Sequence, residues 1–129
     1  MNNETCRAIA ESTVFSTLLE MMCDGCKSAW NKNDGLYEQH VYTMWALQEI
    51  QVALEFAHDV HPLIIISNFQ KRMERYADLS KNEMAKRIFI IGVETCDWIW
   101  SLISDEIEKH INAKRQFMEY AYKGDLKHE

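Results

Sequence analysis

Apolar side chains recur at intervals of three and four residues through most of this 129-residue chain, and residues that interrupt helices are scarce: one proline, Pro62, and four glycines. That spacing puts apolar groups on one side of a helix and predicts an all-α chain. The first helix is expected from about Thr5 to Trp30. Ala8, Phe15, Leu18, Leu19, Met22, Cys26 and Ala29 share one side, and the stripe keeps its phase through Gly25. Asn31 to Gly35 has turn composition. A second helix follows from about Leu36 to Ala57. Tyr37, Val41, Met44, Trp45, Val52 and Phe56 lie on one arc and Leu47, Ile50 and Leu54 on another, which predicts contacts on several sides.

Pro62 suits the first turn of a third helix, where its missing N–H has no helical partner. Ile65, Ile66, Phe69, Met73 and Tyr76 then share a face. Ser80-Lys81-Asn82-Glu83 has the spacing of a capping box, with Ser80 as the cap of a fourth helix and Glu83 reaching back to it. In that helix Met84, Ile88, Ile91, Thr95, Trp98 and Leu102 form one seam, and Phe89, Val93, Cys96, Trp100 and Ile107 form a second stripe. Ile91 and Trp98 are expected in the core. The two stripes together are wider than one core needs, and the pattern stays in phase past Asn112. A helix from Lys81 to Tyr122 is about 60 Å long, against about 40 Å for the first. The excess must either fold back near Asn112 or pack on another chain. The fold expected is an antiparallel four- or five-helix bundle with a long C-terminal helix, residues 1–129 forming a single domain.

Composition narrows the classes. An apolar share of 47% fits a folded core. The N-terminal residues lack the apolar run of a secretory signal, and the most apolar stretch, Ile88 to Ile103, is too short to span a bilayer and carries Glu94 and Asp97. A cytoplasmic location without membrane insertion is expected. The formal net charge is −6. All of it comes from residues 1–70, where Arg7, Lys27 and Lys32 face nine carboxylates. With no lysine or arginine between Lys32 and Lys71, nucleic-acid binding is disfavoured and a basic protein partner fits better.

Two groups of residues could carry chemistry. Cys23-Asp24-Gly25-Cys26 is a CxxC pair, able in principle to bind zinc or to cycle as dithiol and disulfide. A zinc site lacks its remaining ligands here, since Cys6 and Cys96 stand alone. A helical CxxC oxidoreductase would have a histidine three residues after the second cysteine, where this chain has Ala29. The second group is carboxylates. Glu55 and His58 have the ExxH spacing of di-metal bundles, and an up-down topology puts Glu11, Glu55, His58 and Glu94 at similar heights. Glu94 and Asp97 have the ExxD spacing similar to one half of the all-helical, magnesium-dependent nucleotide pyrophosphatases, but no ExxE precedes it. Glu94 and Asp97 also share their helical side with Asp105 and Glu108, away from both apolar stripes, as a solvated face would. The other four histidines are scattered, and neither a Gly-rich phosphate loop nor a nucleophile set is present.

The sequence therefore favours a non-enzymatic interaction protein without a cofactor: a small acidic regulator or inhibitor, of the immunity or antagonist kind. Glu94, Asp97, Asp105 and Glu108 would meet a basic partner. Trp100, Ile107, Ile111, Phe117 and Met118 would form a homodimer contact. The alternatives are a metal-dependent hydrolase using Glu11, Glu55, His58, Glu94 and Asp97, or a helical redox protein using Cys23 and Cys26.

Overall fold

In the computed structural model, which describes residues 3–32, 35–57 and 60–127, five helices follow one another with no strand among the described residues. They are α1 (Asn3–Ala10), α2 (Thr13–Asn31), α3 (Leu36–Glu55), α4 (Pro62–Leu79) and α5 (Glu83–Lys127). The all-α bundle with a long last helix is as the apolar periodicity requires. Asn33 and Asp34, in the expected first turn, and His58 lie outside the described residues.

The expected first helix is two helices. Ser12 is extended, at φ −69° and ψ 160°, and its Oγ donates to the Ile9 carbonyl at 2.7 Å, so the chain turns before Thr13. Ser and Thr compete with the helical backbone in this way and favour helix starts. The turn lets α1 fold over one end of the bundle, where Cys6, Ile9 and Ala10 are buried. Gln51 Nε2 donates to the Ala10 carbonyl at 2.9 Å, satisfying an acceptor freed at the end of α1. Gly25 lies inside α2, and the His40 ring from α3 packs where a Cβ would project, with Cδ2 at 3.1 Å from that position.

The α3 helix touches all four others. Its buried side is Ala46, Leu47, Ile50 and Leu54, whereas Val52 and Phe56, from the other expected arc, are exposed. In α4, Pro62 occupies the first turn, and the His61 ring accepts from Leu63 N–H through Nδ1 at 3.1 Å. Pro62, Ile66, Phe69, Met73 and Ala77 are buried there, and Tyr76 is partly exposed against Phe89.

The cap of α5 is Asn82 and not Ser80. Asn82 Oδ1 accepts from Met84 N–H at 2.9 Å and from Ala85 N–H at 3.1 Å. Ser80 instead ends α4 in extended conformation, too far upstream to reach the first free N–H groups of α5. The core stripe of α5 runs between the two seams read from the sequence: Cys96, Ile99, Ile103 and Ile107 are buried, as are Ile91 and Thr95 nearer its start. Trp98 is 40% exposed and does not belong to the core. The helix continues through Asn112 without a break, so there is no fold-back, and its 45 residues make it about 65 Å long. Among the described residues, no helix is long and apolar enough to cross a membrane.

Candidate functional site

Three regions hold the residues singled out by the sequence. The first is the outer side of α5. Glu94, Asp97, Asp105 and Glu108 are all exposed there. Taking about 100° per residue, they lie opposite the core positions Cys96, Ile99, Ile103 and Ile107. Asp97 is tied to α4, accepting from Gln70 Nε2 at 2.7 Å, and the same nitrogen donates to the Val93 carbonyl at 3.1 Å. Further up, Arg87 pairs with Glu38 at 3.2 Å across an exposed recess that Glu94 also lines. Tyr42 O–H donates to the other Glu38 oxygen at 2.8 Å, and this bond to a carboxylate pushes the phenol pKa upward.

The described members of the carboxylate set are not brought together as a metal site. Among the described residues, no three His, Cys, Asp or Glu side chains converge to hold an ion. Glu11 lies at the break between α1 and α2, Glu55 ends α3, and Glu94 and Asp97 face outward, all four exposed. His58 is outside the described residues.

The second region is the C-terminal part of α5. Gln70 reaches Val93, and Met73 packs on Gly92, so antiparallel α4 starts near the level of Ile103. Beyond that level α1 covers the core stripe for about a turn, leaving Ile111 half-buried. Past Ile111 no other described element packs along the helix. Phe117 is 71% exposed, Met118 63%, Tyr120 80% and Tyr122 66%. An open, mostly apolar trough of about 800 Å³ is lined by Thr5 at one end and by Ile111, Arg115, Met118 and Tyr122 along α5. Of the expected self-association residues, Ile111, Phe117 and Met118 lie on this overhang. Trp100 is part-exposed further back, while Ile107 is buried in the chain's own core because α1 covers it.

The third region joins α2 and α3. All four cysteines are thiols. Cys23 is exposed, Cys26 is buried, and both line an open cavity of about 490 Å³ with Lys27, Trp30, Tyr37 and Met44. Cys23 S–H donates to Met44 Sδ at 3.5 Å. Burial, and then the neighbouring Cys23, push the Cys26 pKa upward. The Trp30 and Tyr37 rings close one side, with centroids 5.1 Å apart. Met44 was not legible as part of this region. Its only sequence signal is its position one helical turn after His40, which packs on Gly25 of the CxxC segment.

No family model matches the chain, and comparison with curated proteins and with solved structures finds no match.

Proposed function

We propose that the chain is a non-enzymatic interaction protein, a homodimer joined through the projecting end of α5, whose acidic outer face meets a basic protein partner. One observation carries this reading. The core stripe of α5, Ile103 and Ile107, continues in phase through the half-buried Ile111 to Met118 and Tyr122, beyond every described element that covers it. Soluble chains seldom leave a contiguous apolar helix end in water.

A second copy of the same end is the occupant that fits. The uncovered stripe faces the same direction as the bundle below it, so a parallel second α5 would run into that bundle. An antiparallel one clears it and lies along the trough. In that arrangement Ile111 lies opposite Tyr122 of the second copy, Met118 opposite Arg115, and Arg115 beside Glu119. Lys114 and Arg115 of each copy then lie beside Glu119 of the other, the one carboxylate among residues 109–123, and a twofold contact uses each surface twice. Glu94, Asp97, Asp105 and Glu108 remain solvated on the far side.

Light scattering tests the dimer. The intact chain should show twice the 15.2 kDa of the monomer, and Met118→Glu should give a folded monomer. Met118 suits this test because it is exposed, whereas charging the buried Ile107 would damage the core. A monomer at high micromolar concentration in the intact chain would refute the dimer. For the acidic face, a lysine-rich helical peptide should bind in a salt-sensitive way. Replacing Glu94, Asp97, Asp105 and Glu108 by their amides should abolish that binding, and unchanged binding would count against this surface.

A further inference from the structure

We propose that Cys23, Cys26 and Met44 form a binding site for a soft monovalent metal ion, Cu(I) by preference, in the cleft between α2 and α3. The CxxC spacing puts two thiols one turn apart on the same side of α2, the separation at which helical neighbours meet. The third sulfur comes from the other helix. His40 packs on Gly25, which brings the backbones close, and Met44, one turn further along α3, thereby reaches Cys23 with 3.5 Å between the sulfurs. With metal–sulfur bonds of about 2.3 Å, three sulfurs around one ion lie roughly 4 Å apart, near the separation that Cys23 and Met44 already have, and Cys26 lines the same cavity.

Donor chemistry selects the ion. Two thiolates and a thioether are soft ligands, which favour Cu(I) over harder divalent ions. Zinc prefers four ligands from thiolate, imidazole or carboxylate, and no third His, Cys, Asp or Glu joins the pair among the described residues. Binding replaces the S–H protons of Cys23 and Cys26, which pass to solvent, and the ion takes the place of the hydrogen now held between Cys23 and Met44. No electron is transferred. The other thiols cannot substitute: Cys6 and Cys96 are buried in the core, aimed at the carbonyls of Val60 and Ile66. Trp30 and Tyr37 line the cavity and shield the ion on one side.

The test is an anaerobic titration of the fully reduced, full-length protein with Cu(I), using bicinchoninate as competing chelator, and a parallel titration with Zn(II). One Cu(I) per chain should transfer from the chelator, with Zn(II) unable to displace it. Cys23→Ser should abolish the transfer. Met44→Leu, which keeps the side-chain volume, should weaken it by about tenfold or more. Absence of transfer, Cu(I) retention in Cys23→Ser, or displacement by Zn(II) would overturn the proposal. So would wild-type affinity in Met44→Leu. If a variant fails to fold, X-ray absorption on the Cu(I)-loaded wild type decides. Three sulfur neighbours support the site, and two sulfurs alone exclude Met44.

Discussion

Cys96 is fully buried, with its thiol aimed at the Ile66 carbonyl at 3.9 Å. Burial, with Asp97 and Glu74 acting in the same direction, pushes its pKa from 9.0 to about 12. The folded state therefore holds this proton more tightly than the unfolded chain does. That contribution to stability is complete below pH 9 and is lost as the pH rises toward about 12. Urea midpoints measured from pH 8 upward should fall through this range, and less steeply for Cys96→Ala. Equal slopes would mean that Cys96 titrates normally. A second contrast concerns Ile103 and Trp98. Ile103 is fully buried, so Ile103→Ala should cost about 2 to 5 kcal/mol. Trp98→Ala should cost less than Ile103→Ala, although the sequence pattern puts Trp98 in a seam. Both apolar stripes of α5 satisfy helical spacing, and spacing alone does not show that the core axis falls between them. Denaturation midpoints of the two variants would reverse order if Trp98 were a core residue.

At the scale of elements, helix type was legible and helix ends were less so. Apolar period and the scarcity of Gly and Pro suffice for an all-α chain, and Pro62 marks the start of α4 because only a first turn tolerates it. The break at Ser12 carries no glycine or proline. It depends on one hydroxyl taking the Ile9 carbonyl, a choice that becomes favourable only when α1 can bury Cys6 and Ile9 against other helices. Ser80 carries the capping-box spacing in the sequence, but the tight turn after α4 leaves Asn82 as the residue adjoining α5. Asn82→Ala should therefore cost about 1 kcal/mol, the usual loss for an N-cap. Ser80→Ala should cost less, and thermal melts giving the opposite order would restore Ser80 as the cap. The sulfur cleft shows why sites are harder to read than elements. Cys23 and Cys26 are three residues apart and visible as a motif. Met44 becomes part of their surroundings only through the packing of α2 on α3, which no local spacing encodes.

For the whole molecule, the decisive feature is that α5 outruns the bundle it belongs to. Its first part is held by α3 and α4, its middle by α1, and its end by no other element among the described residues. A single projecting helix of roughly four turns is marginal in water, since most helical stability in proteins comes from packing. If two copies pair through these ends, each supplies the missing partner for the other, and residues 113–122 gain stability only on association. Amide hydrogen exchange of that segment, followed as the protein concentration is raised through the dimerisation range, tests this most directly. Homodimerisation through α5 predicts rapid exchange at low concentration and protection that grows as the dimer forms, with the growth absent in Met118→Glu. Equally rapid exchange at every concentration would contradict it.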